Sequence, residues 1–165
     1  MPKSRELEGG EKYTNAQLDE LYSLVIRIGG IEYPSAVMLL KGEGWGDYVL
    51  PIYIGMPEAE AIERGRRNII TQRPMTHDLI ISILDTLDVK VEKVTIDALL
   101  NNIYTATIVL HQEVNGRIKR YYVDARPSDS VAIAVRANAP ILINEKLRKY
   151  AIAKKEFLKK VLGSP

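Results

Sequence analysis

The sequence predicts an α+β domain in which helices pack on a mixed, mostly antiparallel sheet. Segments with strand character come in runs joined by hairpin-type turns, whereas the strands of a parallel α/β fold alternate with helices. The chain has 165 residues and 46% of them are hydrophobic. That length and composition suit one compact domain with a single core.

The first third of the chain is predicted to hold an arm and three strands. Residues 1–20 are interpreted as a polar N-terminal arm, with a helical turn where Thr14 and Gln17 have capping-box spacing. β-Branched and apolar runs predict strands at 24–28, 35–40 and 48–54. The glycine-rich loop before the third strand carries Trp45, which either stacks on a nucleobase or folds back on the sheet.

Two helices should follow these strands. Pro57 is suited to the first position of a helix, and Thr76 is a good N-cap for a second helix. The second helix has apolar residues at helical spacing, and the periodicity predicts that its apolar face is buried. The residues on that face are Leu79, Ile80, Ile83, Leu84 and Leu87.

The second half is predicted to contain three more strands, a helix, a short strand and a final helix. Asn115-Gly116 separates two β-rich runs, 103–111 and 117–125, and is a strong signal for a type I′ hairpin. Ser128 is expected to cap a helix that ends near residue 138. The last helix is expected over 145–161. We divide the chain into an arm (1–20), a central domain (21–148) and a basic C-terminal helix (149–165).

Composition excludes several classes of site. The chain has no cysteine, so it forms no disulfides, thiolate metal sites or iron–sulfur clusters, and it suits the reducing cytoplasm. No apolar run is long enough to cross a membrane, and we expect no membrane partner. The N-terminus lacks the apolar stretch of a secretory signal. With two histidines in the chain, a metal site would have to use carboxylates, which suits Mg²⁺ or Mn²⁺.

Charge is unevenly distributed along the chain. Residues 145–165 hold seven Lys or Arg and two Asp or Glu, while the remainder is mildly acidic. The chain therefore lacks the strongly basic character of a general nucleic-acid-binding domain. The basic C-terminal segment either contacts phosphates or an acidic partner, or is a solvated helix face.

Two segments carry candidate chemistry. In Arg73-Pro74-Met75-Thr76-His77-Asp78, an imidazole and a carboxylate lie at a helix N-terminus, where His77 is a candidate general base. In Asp124-Ala125-Arg126-Pro127-Ser128-Asp129, a strand runs into a helix N-terminus, which offers free N–H groups to anions. The alternative is structural in both places, with capping at the first and an ion pair of Arg126 at the second.

Five motifs, spread over roughly residues 22–148, resemble the bifunctional nuclease family. They are Leu50–Gly55, Pro57–Ile62, Arg73–Leu79, Val123–Arg136 and Ala139–Ile141. The resemblance implies a compact α+β fold, cleavage of DNA, RNA or both, as described for some plant members, and assembly into a homo-oligomer. It leaves the catalytic residues open, so the roles below rest on chemistry.

The resulting hypothesis is a metal-assisted nuclease. The candidate catalytic residues are His77, Asp78, Asp124, Arg126 and Asp129. Of these, Asp78, Asp124 and Asp129 are the candidate ligands of Mg²⁺ or Mn²⁺. The candidate substrate-binding residues are Arg73, Ser128 and Arg136.

The alternative hypothesis is a non-catalytic oligomeric regulatory or binding module, in which the same residues are caps and ion pairs. A cleft shared by the candidate residues would favour the nuclease, and mutual burial would favour the module. Arg126 is expected to form a buried or half-buried ion pair with a nearby carboxylate.

Overall fold

The computed structural model describes residues 5–7 and 10–163 of the chain. Within them, nine strands form one sheet in the order β7-β6-β5-β8-β2-β3-β4-β9, with β1 paired to β2. The strands are β1 (Arg5–Leu7), β2 (Glu11–Ile28), β3 (Ile31–Gly42), β4 (Tyr48–Ile54), β5 (Lys90–Leu100), β6 (Ile103–Val114), β7 (Arg117–Ala125), β8 (Ile141–Asn144) and β9 (Ile152–Ala153). The pairings are antiparallel apart from β5 with β8. The predicted α+β fold is confirmed.

Four α-helices accompany the sheet in the described residues: α1 (Met56–Arg66), α2 (Thr76–Thr86), α3 (Pro127–Ala137) and α4 (Lys154–Leu162). The main core lies on one side of the sheet, where Ile62 of α1 and Val131 of α3 meet Met38 and Leu40 of β3. Val37 and Leu39 alternate with these residues along β3 and pack with Phe157 of α4 in a second cluster. The basic α4 therefore packs on the opposite side of the sheet from α1 and α3.

The Asn115-Gly116 hairpin is confirmed. Val114 of β6 pairs with Arg117 of β7, so the loop has two residues, and both have positive φ (53° and 76°) as a type I′ turn requires. The hairpin determines the register of β7, whose last residue pairs with Ala106 near the start of β6. The chain enters α3 from that point.

Both chain ends differ from the predictions. The predicted turn at Thr14 is wrong, because β2 is an 18-residue strand that starts at Glu11 and crosses the predicted boundary after residue 20. Pairing with β3 and β8 supplies it with backbone hydrogen bonds that outweigh the local capping signal. Residues 1–4 and 8–9 of the predicted arm, and the last two residues, lie outside the described residues.

The predicted helix 145–161 is also wrong. This segment is divided into a 3-10 helix (Glu145–Tyr150), β9 and α4. Lys154, at the start of α4, donates to Glu20 across 3.1 Å and lies 2.8 Å from the Asp19 carboxylate. The hydrogen bond with Asp19 raises the pKa of Lys154 to about 12, with Glu20 adding to the effect. Its ammonium group is thus held by the acidic strand β2.

The helix starts differ by one or two residues from the predicted caps. Met75 is the N-cap of α2 and Thr76 its first residue, while Asp78 accepts a hydrogen bond from the Met75 amide across 3.0 Å. Arg126 is the N-cap of α3, and Pro127 rather than Ser128 is at the helix start. The fixed φ of proline favours the first helical turn.

The predicted burial of the α2 face is wrong. No residue of α2 is buried, and Leu79, Ile83 and Leu87 are exposed by 49%, 50% and 59%. The helix contacts α3 along one side and leaves its apolar face uncovered.

Trp45, in contrast, folds back into the main core and is 2% exposed, which excludes base stacking by this side chain.

Candidate functional site

The N-termini of α2 and α3 meet beside the end of β7 and the first turns of α1. A cavity of about 670 Å³ lies between them. Four of the predicted site residues line it: His77, Asp124, Arg126 and Asp129. The fold thus brings together residues that are about 50 positions apart in the sequence, as the nuclease hypothesis required.

His77 and Asp129 form a hydrogen-bonded pair in this cavity. His77 Nε2 lies 2.9 Å from Asp129 Oδ1, and the two side chains are 13% and 31% exposed. Because an ionised carboxylate only accepts hydrogen bonds, the proton of this contact lies on Nε2, and in the corresponding neutral tautomer Nδ1 has the lone pair. The geometry orients the ring as a general base does in a histidine–carboxylate pair.

Arg126 bridges two carboxylates at the rim of the cavity. Its Nε donates to Asp129 Oδ2 across 2.9 Å, and its Nη1 donates to Glu58 Oε1 across 3.4 Å. Asp129, not Asp124, is therefore its main partner. The side chain is 65% exposed, so the expectation of a buried or half-buried pair is wrong. Arg126 connects the end of β7 to the start of α3, and its guanidinium is accessible to an anion at the surface.

The electrostatic effect of this cluster appears in the pKa of Asp129. Burial by itself raises the pKa, but hydrogen bonds from Arg126 and His77 outweigh burial, and the net pKa is lowered. The hydrogen bond with Asp129 in turn raises the pKa of Arg126. Asp129 is therefore an anion at neutral pH, and it serves both the imidazole and the guanidinium.

Asp78 and Arg136 pair with each other and do not line this cavity. Arg136 Nε donates to Asp78 Oδ1 across 2.7 Å, and Nη1 donates to the carbonyl oxygens of Ala61 and Ala132 at 2.8 and 3.0 Å. Arg136 is 8% exposed. These contacts tie α1, α2 and α3 together, which replaces the predicted substrate-binding role of Arg136 with a structural one.

Asp78 is likewise separated from the other two predicted metal ligands. Burial raises its pKa, but Arg136 and the Met75 amide outweigh burial, so its net pKa is lowered. Among the residues that the structure describes, no three His, Asp or Glu side chains lie close enough together to hold a metal ion. A preformed site of Asp78, Asp124 and Asp129 is therefore not present.

The remaining predicted residues lie outside this cavity. Arg73 is exposed in the segment between α1 and α2 and is not part of the lining. Ser128 is 5% exposed and borders a second cavity on the other side of Arg126.

Sequence reasoning missed the contribution of α1. Glu58, Glu60 and Arg64 line the cavity, and Glu58 holds Arg126. An acidic residue in the first turn of a helix, such as Glu58, is favoured by the helix dipole and does not by itself indicate a functional site. A signal that could have identified Glu58 and Glu60 was present in the sequence, because Pro57–Ile62 is one of the five motifs of the family resemblance.

Acidic groups predominate in the cavity. It is lined by four carboxylates, from Glu58, Glu60, Asp124 and Asp129, and by two guanidinium groups, from Arg64 and Arg126. Without a cation, this excess of two negative charges would repel a phosphodiester. The excess of carboxylates in the cavity thus favours a ligand that is accompanied by a cation.

The chain is similar to proteins that carry a bifunctional nuclease domain. The model of that domain matches residues 37–156, a range that includes every residue of the cavity. An uncharacterized protein of Mycobacterium tuberculosis is 37% identical over 123 residues, which are 73% of this chain and 71% of that protein.

Plant proteins are more distant relatives. Bifunctional nuclease 2 of Oryza sativa subsp. japonica and Bifunctional nuclease 2 of Arabidopsis thaliana are each 26% identical over 114 residues. The matches cover 69% of this chain and 35% and 34% of the plant proteins. The similarity thus accounts for about a third of each plant protein.

Proposed function

Because the chain belongs to the bifunctional nuclease domain family, we propose that it hydrolyses phosphodiester bonds of DNA, RNA or both. The observation that carries this proposal is the His77–Asp129 pair, which opens into a cavity beside the exposed guanidinium of Arg126. A general base and an anion-binding group at one site are two requirements of phosphodiester hydrolysis.

In the proposed mechanism each residue has one task. His77 takes a proton from the attacking water at Nδ1, while Asp129 holds the ring in place and stabilises the imidazolium that forms. Arg126 donates hydrogen bonds to the phosphoryl oxygens, and Glu58 limits its range of orientations. The negative charge that develops on the phosphoryl group is thus met by a positioned cation.

The cavity offers a divalent cation, Mg²⁺ or Mn²⁺, few carboxylate ligands. Asp124 would hold it together with a remaining lone pair of Asp129, whose carboxylate also accepts from His77 and Arg126, whereas Asp78 pairs with Arg136 and does not line the cavity. Mg²⁺ is commonly bound by one or two carboxylates, with waters and substrate phosphates as its other ligands. It would neutralise phosphoryl charge in a cavity that is otherwise too acidic for nucleic acid.

We expect purified protein to cleave DNA or RNA in Mg²⁺ or Mn²⁺, to lose the activity in EDTA, and to regain it when metal is added in excess. The measurement is release of fluorescence from labelled oligonucleotides. An Asp124→Ala variant purified identically controls for contaminating nucleases. Full activity in EDTA would contradict the role of the metal. Absence of cleavage in every metal would contradict the nuclease proposal.

The second candidate function is a non-catalytic oligomeric regulatory or binding module. The observation that favours it is the pairing of the candidate residues, since Arg126 with Asp129 and Arg136 with Asp78 satisfy each other's charges. The open cavity beside His77 favours the nuclease instead. The cleavage assay distinguishes the two functions.

We also propose that the chain forms a homo-oligomer through α2. Its exposed face carries Leu79, Ile83 and Leu87 at helical spacing, with Ile80 (38% exposed) beside them. A continuous apolar stripe of this kind is typical of a protein interface. Ile80 also lines the first cavity, so this contact would lie next to the site.

The Ile83→Asp substitution is expected to convert the oligomer to a folded monomer, because it places a charge in the middle of the stripe. Ser82→Asp, on the polar flank of the same helix, is the matched control and should leave the oligomer intact. Light scattering coupled to size exclusion measures the mass. A monomeric wild-type protein would contradict the proposal.

The cytoplasmic location inferred from composition remains a prediction.

None of the helices in the described residues combines the length and apolar character needed to cross a bilayer.

A further inference from the structure

A second cavity of about 600 Å³ adjoins the first one. Glu58 and Arg126 line both cavities, so their ion pair forms the partition between them. Residues from β3 and β4, from the β5–β6 turn and the start of β6, and from the start of α3 form most of the remaining lining. Neither the nuclease chemistry nor the comparisons assign this cavity a role.

The second cavity has an apolar and aromatic wall with polar groups at its rim. Ile52, Ile54 and Tyr104 line it and belong to the main core or pack against it. Ile103 is 68% exposed at the edge, next to Asn102 in the turn. Burial, together with the nearby Tyr150, raises the pKa of Tyr104, so its hydroxyl remains a hydrogen-bond donor at neutral pH. Such a combination suits a flat heterocycle better than a second phosphate.

The two cavities lie in line along one face of β6. Tyr104 and Ile108 are four residues apart on this strand and both pack toward the main core, so they share the helix-facing side. Ile108 lines the first cavity and Tyr104 lines the second. Arg126 stands between them, at the phosphate position of the proposed site.

From this arrangement we infer that the second cavity binds a nucleobase of single-stranded nucleic acid, stacked on Tyr104, while the adjoining phosphate is held by Arg126. The inference rests on the proposed function and specifies its substrate class. Bases of a duplex are stacked on each other and are not free to enter a cavity, whereas an unpaired strand can insert one. The site therefore selects single strands.

The test measures binding, in the presence of Mg²⁺, of a labelled phosphorothioate oligo-dT of about 12 nucleotides, a length on the scale of single-strand sites. Its backbone resists cleavage, and fluorescence anisotropy reports the dissociation constant. Tyr104→Leu, which keeps an apolar side chain but removes the ring, is expected to weaken binding about tenfold. Tyr104→Phe keeps the stacking surface and loses only the hydroxyl, so it should weaken binding less than Tyr104→Leu.

Control variants separate this effect from general surface changes. Tyr48→Leu removes a tyrosine that is 51% exposed on β4 and lines neither cavity, and it should not change binding. Ile103→Glu places an anion at the rim and should weaken binding. Ile118→Glu, at a residue 52% exposed on β7 outside both linings, should weaken it less. The comparison of Ile103→Glu with Ile118→Glu still tests the site if Tyr104→Leu does not fold.

The outcomes distinguish the two proposals. Wild-type cleavage with unchanged oligonucleotide binding in both Tyr104→Leu and Ile103→Glu would overturn the base site and leave the nuclease proposal standing. Equal affinity for the duplex of the same sequence would also overturn it. If the wild-type protein neither binds nor cleaves nucleic acid, both proposals fail together.

Discussion

The His77→Ala substitution is expected to lower kcat/KM for nucleic-acid cleavage by about 100-fold or more, because general-base catalysis contributes about 10²- to 10⁴-fold. The imidazole is the base in the proposed mechanism, and its Nε2 proton is held by Asp129 across 2.9 Å. Steady-state cleavage of a labelled single-stranded oligonucleotide measures the effect. Added imidazole should restore part of the activity, since it can occupy the space left by the side chain.

The chain provides a matched control for this variant. His111 is its other histidine and lies half-buried on β6. It lines neither cavity, so His111→Gln should keep wild-type activity. Asp124→Ala and Asp129→Ala should each lose about 100-fold, which is typical for removal of a transition-state electrostatic partner. Full activity in folded His77→Ala would show that the cleavage comes from another protein or another site.

The Arg136→Ala substitution is expected to lower the free energy of unfolding by about 3 kcal/mol, because it removes the buried guanidinium that donates to Asp78 and to two carbonyl oxygens. Arg136 is 8% exposed and connects α1, α2 and α3. Urea denaturation followed by circular dichroism measures the change. Arg67→Ala, which removes an arginine that is 68% exposed beside Glu63, should cost less than about 1 kcal/mol. Equal losses in both variants would contradict the buried role of Arg136.

The same ion pair predicts a dependence of stability on acid. The net pKa of Asp78 is lowered in the folded protein, so its contribution to stability is complete above the ordinary aspartate pKa, near 4. The contribution is lost as pH falls through the lowered value. The difference in stability between wild type and Arg136→Ala should therefore shrink below pH of about 4. A difference that is constant down to the acid transition would argue against the ion pair.

Elements with strong local signals could be predicted from the sequence. The Asn115-Gly116 turn requires positive φ at two successive residues, and both conditions are visible in a dipeptide. The β4 strand and the proline at the start of α1 are similarly local. In contrast, a helical turn was predicted where β2 begins, because that part of β2 pairs with the distal end of β3 and with β8, and a local pattern contains no information on these pairings.

Candidate residues of the site could be named from the sequence, but their grouping could not. His77, Asp124, Arg126 and Asp129 were identified from helix starts and motif resemblance, and they share one cavity. Asp78 has the same residue type and lies next to His77 in the sequence, yet it turns to Arg136. Consecutive residues of a helix point about 100° apart, so neighbours in the first turn reach different surroundings.

By itself, the sequence determined the α+β class, the tight hairpin before α3 and the residue types available for chemistry. The tertiary structure decided which of these residues meet. Pairing of β6 with β7 sets the start of α3 and brings Asp129 to His77, while packing of α1 on α3 brings Glu58 to Arg126. It also left the apolar face of α2 uncovered. The physical reason is that periodicity reports which face of an element is apolar, whereas the surface that covers this face depends on distant segments of the chain or on another molecule.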